Sequence, residues 1–209
     1  MAVEQEFADV YPLTAEILLE YLDGTDCRDC GFPSCTAFAD ALISGKARGR
    51  QCGELDPGIA AAIDALLDYA PPIIPYNVMM ESLSPGIYPV GDPPPSSPVL
   101  VTCNFTETVR LLEQILKTCS IKAILLMSDT KGYSVDNAVA EKKFTPFEVL
   151  KVISHTEVGS MVNHGRLLIP GLAGHLKTGL ATTTGWHVLK GPVSGFEIPL
   201  FLIREGLVQ

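Results

Sequence analysis

The sequence lacks the features of a membrane-spanning, secreted or nucleic-acid-binding protein. No apolar run reaches the roughly 18–20 residues that a membrane span needs, and the acidic first ten residues contain no apolar signal core. With 15 Lys and Arg against 24 Asp and Glu, the chain has no basic surface that could neutralise a row of phosphates. We therefore expect a cytoplasmic protein that binds neither nucleic acid nor membrane.

Acidic residues and prolines are unevenly distributed, which predicts two modules and a connection. Residues 1–68 contain thirteen acidic and four basic side chains, whereas residues 69–209 contain eleven of each. Residues 70–98 hold nine of the sixteen prolines. Proline fixes φ and removes an N–H donor, which excludes helices and central strands. We expect domains at 1–69 and 99–209, with a Pro-rich linker at 70–98 that lets the first domain swing.

The second domain shows alternating strand and helix patterns. Residues 123–127 form a continuous apolar run, as a parallel strand buried on both faces should. Residues 99–102, 166–169 and 187–189 are further strand candidates, and residues 200–203 suit either a strand or a closing helix. The alternation predicts a doubly wound, Rossmann-like α/β domain. Before it, the apolar periodicity predicts a small helical domain.

Four of the six cysteines form one cluster, with the spacing Cys27-x2-Cys30-x4-Cys35-x16-Cys52. A disulfide framework is a poor interpretation for a chain with this apolar content and no leader. Three thiolates on one loop and a fourth returning after a helix suit a [4Fe–4S] cluster. Two alternatives stay open: a structural zinc site, which usually uses two CxxC pairs, and four free cysteines.

The cysteine segment resembles a known family. Residues 12–52 resemble the N-terminal cluster domain of the large (gamma) subunit of the corrinoid iron–sulfur protein, from the acetyl-CoA synthase/CO dehydrogenase pathway. The core CxxCGFPxC also resembles membrane electron-transport subunits. Four later segments resemble the same corrinoid family in the same order, at 99–109, 124–135, 166–179 and 185–199. The central TIM barrel of that family is missing, and the Pro-rich stretch stands in its place.

The resemblance implies that the Rossmann-like domain binds a corrinoid (cobamide). No DxHxxG motif offers a histidine to cobalt, so the base-off, His-off form is expected. Loops that follow the predicted strands would contact the ring. The candidate contacts are Thr102, Asn104, Thr108, Asp129, Thr130, Gly132, Ser134, Pro170, Gly171, Ala173, Gly174, Gly191, Pro192 and Ser194. Lys131 departs from the Glu that is usual in the family.

The function implied is that of an anaerobic methyl carrier, with no catalytic residue assigned. The cluster would reduce Co(II) to Co(I), and the partners would be a methyltransferase or TIM-barrel subunit, or a second copy, together with a reductive activator. A second hypothesis is an iron–sulfur electron-transfer or assembly module whose α/β domain no longer binds corrinoid. A third is a catalytic methyltransferase or a corrinoid-activating enzyme.

Overall fold

The computed structural model describes residues 11–70 and 81–208. Three short helices come first, followed by a five-stranded sheet with helices on both faces. The helices are α1 (Ala15–Leu19), α2 (Cys35–Ile43), α3 (Pro57–Asp68), α4 (Thr106–Thr118), α5 (Val135–Ala140), α6 (Pro146–His155), α7 (Val158–Met161), α8 (Lys177–Thr184) and α9 (Ile198–Arg204). The strands are β1 (Gly86–Val90), β2 (Val99–Cys103), β3 (Ala123–Ser128), β4 (Arg166–Ile169) and β5 (His187–Lys190).

The helices of the first module begin at side-chain caps. Thr14, Ser34 and Asp56 precede α1, α2 and α3, and each side-chain oxygen accepts a backbone N–H from the first turn of its helix. Pro57 follows as the first residue of α3, where the missing N–H costs nothing. These local signals explain where the three short helices begin. Across the two described ranges, no helix has the length and apolar character to cross a bilayer.

The sheet has the order β1-β3-β2-β4-β5, and β2 to β5 run parallel. Helices α5 to α8 cover one face, where Leu126 packs with Val149 and Leu180. Helices α4 and α9 cover the other face, where Leu125 packs with Leu202. The predicted α/β class with a doubly wound domain is therefore confirmed, and each central strand is buried on both faces, as its apolar run indicates.

The Pro-rich stretch differs from the predicted linker, because its second half is part of the sheet. Strand β1 lies inside the range 70–98 and pairs antiparallel with β3, from Gly86 opposite Met127 to Val90 opposite Ala123. Pro89 is tolerated because β1 is an edge strand, where one side needs no N–H donors. Residues 71–80 lie outside the described residues, so the domain boundaries at 69 and 99 stay predictions.

The two modules share one apolar core, which contradicts the expectation of a swinging first domain. Phe38 and Ile63 of the first module belong to the same buried cluster as Ile115 of α4 and Leu200 of α9. Phe196, in the turn before α9, completes this cluster. Residues 200–203, which suited a strand or a helix, lie in α9. The helix buries Leu200 toward the first module and Leu202 toward the sheet.

Polar contacts frame the shared core. The Tyr21 hydroxyl donates to Glu197 Oε1 at 2.9 Å, and the Arg204 guanidinium lies 4.4 Å from the centre of the Tyr21 ring. The Ser194 hydroxyl donates to the backbone oxygen of Tyr11 at 2.5 Å. Burial raises the pKa of the Glu197 carboxyl. The interface is therefore a closed junction with hydrogen bonds at its rim.

Truncation of Leu200 should destabilise both modules. Leu200 is fully buried, so Leu200→Ala should lower the free energy of unfolding by about 2–5 kcal/mol. Amide exchange would show faster opening in α3 as well as in α9. Val193→Ala, at a side chain that is 47% exposed, is the control. Unchanged protection of α3 in Leu200→Ala would show that the modules are independent.

The junction should respond to pH through Glu197. Because the pKa of Glu197 is raised on folding, the folded protein binds this proton more tightly than the unfolded chain does. The resulting stabilisation is complete below the ordinary pKa of 4.5, and it is lost as pH rises through the raised pKa. Glu197→Gln keeps an acceptor for Tyr21 but does not ionise. Its free energy of unfolding relative to wild type should therefore fall as pH drops from 7 to 4, measured by urea titration. The prediction would be contradicted if Glu197→Gln became more stable relative to wild type as pH drops from 7 to 4. Glu205→Gln, at an exposed position, serves as control.

Candidate functional site: a thiol loop and the carboxyl edge of the sheet

The loop that carries the first three cysteines is tightly folded. Cys27 is exposed, whereas Cys30 and Cys35 are half-buried against the core of the first module. Asp26 and Arg28, on either side of Cys27, have φ angles of 51° and 69°. Left-handed backbone costs roughly 1–2 kcal/mol at a residue other than glycine. Such strain persists only where surrounding contacts hold the loop.

A carboxylate closes this loop. Asp26 Oδ1 accepts the backbone N–H of Cys35 at 2.6 Å, at the first residue of α2. One residue earlier, the Ser34 hydroxyl accepts the N–H of Ala37 at 3.1 Å. The N-terminus of α2 is thus capped from two directions, and the Cys35 amide is already bonded.

The fourth cysteine follows a 3-10 turn that α3 holds in place. Asp64 of α3 is buried, and its carboxylate accepts the Gly49 N–H at 2.6 Å and the Arg50 Nε–H at 2.9 Å. A Cβ on Gly49 would lie 2.6 Å from the backbone oxygen of Ala60, so only glycine permits this close approach. Sequence reasoning missed Asp64, because its partners lie fourteen and fifteen residues away.

Burial and neighbouring groups set the pKa of the Cys52 thiol. Burial raises this pKa, the backbone N–H groups of Glu54 and Leu55 lower it, and the charges of Cys30 and Cys27 raise it again. The N–H groups of Glu54 and Leu55 are donors of the kind that bond the sulfur atoms of an iron–sulfur ligand set. Within residues 11–70 and 81–208, no three Cys, His or acidic side chains surround a position for a single metal ion.

The order of successive strands in the sheet reverses between the neighbouring parallel strands β2 and β4. Ladder pairing between these strands ends at Leu100 opposite Leu168, although β2 continues to pair with β3 as far as Cys103. The crevice of an open α/β sheet lies at such a switch point. Thr102 is buried there and its hydroxyl has no hydrogen-bond partner, as is also true of Ser128 at the end of β3. Two orphaned hydroxyls at this edge fit a ligand that presents amides.

Two of the predicted corrinoid contacts bond to each other. Asn104 Oδ1 accepts from the Thr130 amide at 3.0 Å, from the Thr130 hydroxyl at 2.9 Å and from the Gly132 amide at 3.2 Å. The Asn104 side-chain amide donates to the Leu83 oxygen at 2.9 Å. Asn104 and Thr130 are both buried. The structure shows them joining the loop after β2 to the loop after β3, and ligand contact by these residues stays a prediction.

The rest of the loop after β3 is partly accessible. Asp129 is half-buried and forms an ion pair with Lys131, whose ammonium group lowers the pKa of that carboxyl. Ser134 is the N-cap residue of α5, and its hydroxyl bonds Asp136 and accepts from Asn137. Lys131, the departure from the family pattern, therefore neutralises Asp129.

The glycines after β4 and β5 serve contacts between the two loops. A Cβ on Gly171 would lie 2.7 Å from the Pro192 carbonyl carbon, and the Gly171 N–H donates to the Pro192 oxygen at 2.8 Å. A Cβ on Gly191 would lie 3.0 Å from the Ile169 oxygen, and one on Gly174 would meet the Lys190 side chain. The sequence predicts that glycines here admit a flat ring. The structure shows instead that Gly171 and Gly191 admit protein backbone.

The remaining candidates occupy separate positions. Pro170 caps the 3-10 segment that contains the buried Ala173, and Thr108 is half-buried in the first turn of α4 beside the Cys103 thiol. Ser194 uses its hydroxyl at the junction of the two modules. Among the four histidines, His175 alone follows a parallel strand at the carboxyl edge.

Removing the Asp64 carboxylate should destabilise the apo protein. Asp64→Ala leaves the buried Gly49 N–H without a partner, so the free energy of unfolding should fall by about 2–3 kcal/mol in urea titrations. Asp68→Ala, one turn later on α3, removes the exposed ion pair with Arg48 and is the matched control, with an expected loss below about 1 kcal/mol. Equal losses in the two variants would contradict the role assigned to Asp64.

Comparisons with known proteins cover both modules. The family model described as "CO dehydrogenase/acetyl-CoA synthase delta subunit" matches residues 69–202, and the model described as "Putative Fe-S cluster" matches residues 22–53. The acetyl-CoA decarbonylase/synthase complex subunit gamma of Methanopyrus kandleri is 41% identical over 129 residues, which is 62% of this chain and 28% of the relative.

Two further relatives agree with this match. The gamma subunit of Archaeoglobus fulgidus is 38% identical over 66% of this chain and 28% of its own length. The corrinoid/iron–sulfur protein large subunit of Moorella thermoacetica is 36% identical over 51% of this chain and 24% of its own length. The chain thus spans about a quarter of the length of these curated relatives. Because the first family model covers more than half of the chain and the relatives confirm the resemblance, the chain belongs to the CO dehydrogenase/acetyl-CoA synthase delta subunit family.

Proposed function

We propose that this chain is a methyl carrier that holds an iron–sulfur cluster and a corrinoid. A [4Fe–4S] cluster would bind Cys27, Cys30, Cys35 and Cys52. The corrinoid would bind base-off and His-off, at the carboxyl edge of the sheet. When bound, the corrinoid supplies a cobalt centre that accepts and releases a methyl group, and the cluster supplies the electrons that return Co(II) to Co(I).

One observation carries this proposal: the module that holds the three-cysteine loop and Cys52 shares one apolar core with the domain that holds the switch point of the parallel sheet. The shared core around Phe196 and Leu200 holds the two modules together. Electron transfer from the cluster to the cobalt would require a limited distance between the two. The junction between the modules would limit that distance.

The edge of the sheet suits a ligand rich in neutral amides. Thr102 offers a buried hydroxyl without a protein partner, and Thr108 offers a half-buried one on the first turn of α4. The ion pair of Asp129 with Lys131 leaves the nearby loop without net charge. Away from this edge, His155 Nδ1 lies 2.6 Å from the Lys151 oxygen, and His164 Nε2 lies 2.9 Å from the Ser97 oxygen. His175 does stand at this edge, so the His-off form is proposed on the missing DxHxxG motif.

The partner would be another subunit of a multi-subunit complex. The relatives named above are gamma subunits of an acetyl-CoA decarbonylase/synthase complex, and this chain matches only part of their length. We propose that a methyltransferase or TIM-barrel subunit, or else a second copy of the chain, covers the corrinoid edge. A reductive activator would restore the cobalt in the cytoplasm. The cluster domain would end at residue 69, and the linker would be limited to the part of 70–98 that precedes β1.

A second candidate function follows from the hydrogen-bond pattern. Asn104, Thr130 and Ser194 have polar side chains that are committed to protein partners. This observation favours an iron–sulfur electron-transfer or assembly module whose α/β domain no longer binds corrinoid. The two functions share the cluster and differ in the second ligand.

Reconstitution under anaerobic conditions tests both functions. The chain should take up about four iron and four sulfide, and then retain cobamide through a desalting column, measured by visible absorption. Thr102→Val removes the orphaned hydroxyl at nearly constant volume and should weaken cobamide binding about tenfold. Thr182→Val, at an exposed threonine of α8, is the matched control.

The outcomes separate the two functions. Iron and sulfide uptake without retained cobamide would establish the second candidate and contradict the first. Cys52→Ser should abolish cluster uptake, whereas Cys119→Ser should not, because Cys119 is outside the clustered cysteine spacing, at the C-terminus of α4, and burial raises the pKa of its thiol to about 12. Full cluster content in Cys52→Ser would overturn the ligand assignment.

A further inference from the structure

We propose that Asp26 is a positioning residue of the thiol loop, which fixes Cys35 relative to Cys27 and keeps the Cys35 amide away from the sulfur ligands. The inference rests on the proposed iron–sulfur function and assigns a role to a residue that is not a ligand. Its central observation is the 2.6 Å hydrogen bond from the Cys35 N–H to Asp26 Oδ1, which spans nine positions of the chain.

The backbone around Cys27 needs such a contact. Asp26 and Arg28 both lie in the left-handed region, with φ angles of 51° and 69°. Asp and Asn enter this region more readily than other residues, because their short polar side chains bond nearby backbone. Among the described residues, this loop has one backbone bond of its own, from the Gly31 N–H to the Arg28 oxygen at 2.9 Å. The Asp26 carboxylate therefore ties the strained side of the loop to the start of α2.

The hydrogen bond from the Cys35 N–H to Asp26 is stronger than an ordinary neutral hydrogen bond. An ionised carboxylate that accepts a backbone N–H makes a charge-assisted hydrogen bond, which is about twice as strong as a neutral one. The acceptor also lies at the N-terminus of α2, a nine-residue helix whose dipole favours negative charge at this end. Both effects hold Cys35 in place before any cluster arrives.

The same bond bears on the reduction potential of a cluster in this loop. N–H groups that bond cluster sulfur and positive surroundings raise the potential, whereas negative charge lowers it. Asp26 accepts the N–H of the first residue of α2, which is then not free to bond sulfur, and its negative charge is one residue away from Cys27. Both changes oppose the uptake of an electron, so Asp26 keeps the potential low.

Three variants separate the hydrogen bond from the charge. Asp26→Ala removes both, Asp26→Asn keeps an acceptor oxygen but removes the charge, and Asp29→Ala removes an equal charge from an exposed position in the same loop. The chelator-dependent loss of iron should be about tenfold faster in Asp26→Ala than in wild type. The rate should be intermediate in Asp26→Asn, which keeps a weaker, neutral hydrogen bond, and should stay within about twofold of wild type in Asp29→Ala. The reduction potential should be most positive in Asp26→Ala, and intermediate in Asp26→Asn and Asp29→Ala.

Equal iron-loss rates and potentials in Asp26→Ala and Asp29→Ala would overturn the proposal, because charge alone would then explain the effect. A rate in Asp26→Asn as fast as in Asp26→Ala would overturn it as well, since the acceptor would not restore the loop.

Amide exchange of the apo protein tests the hydrogen bond without a cluster. The Cys35 N–H should be protected in wild type, in Asp26→Asn and in Asp29→Ala, and should exchange at least about tenfold faster in Asp26→Ala. Equal protection in all four proteins would contradict the bond. If wild type takes up no iron and sulfide, the proposed function fails, whereas a protected Cys35 amide would still show that Asp26 organises the loop.

Discussion

The packing of Phe196 and Leu200 into the core of the thiol module is the contact on which the rest of the structure depends. These two side chains lie at the C-terminal end of the sheet domain, yet they belong to the same buried cluster as Phe38 and Ile63. Three short helices with few residues would bury too little apolar surface to be stable alone. The α/β domain thus completes the core of its neighbour, and the two modules form one cooperative unit.

Buried carboxylates and amides organise each half of the candidate site. Asp64 holds the turn before Cys52, and Asn104 joins the loops after β2 and β3. In both cases one side chain accepts two or more N–H or O–H groups from a distant segment: Asp64 through its two carboxylate oxygens, and Asn104 through Oδ1. Such a centre orders a loop at low entropic cost, because a single rigid group replaces several separate contacts. The hydrogen bonds of these two side chains therefore hold the loops in place within the protein itself.

Patterns within a short window were sufficient to predict most of the fold. Apolar runs predict β3 and β4, and apolar periodicity predicts the small helical domain that contains α1 to α3. Strand β1 was missed because Pro89 and its proline neighbours indicate irregular structure, and only pairing with β3 stabilises this edge. The four clustered cysteines stood out by spacing alone, and the resemblance to the family is confirmed.

The docking of the modules and the roles of single polar residues could not be read from such windows. Tyr21 bonds Glu197 across 176 positions, and Asn104 bonds Thr130 across 26. A loop asparagine or threonine shows the same local pattern whether it contacts a ligand or the next loop. Hydrogen bonds between residues far apart in the sequence occupy some of the predicted ligand contacts, and residue type alone does not reveal such bonds.

The glycine contacts after β4 and β5 give the carboxyl edge two unequal walls. On one side, Gly171 and Gly191 place backbone against backbone, with no side chain between them to rotate. On the other side, the loops after β2 and β3 meet through side-chain hydrogen bonds of Asn104, which can break and re-form singly. A flat ligand at this edge would therefore contact a rigid pair of loops on one side and a more flexible pair on the other. Any adjustment to ligands of different shape would be confined to the loops after β2 and β3.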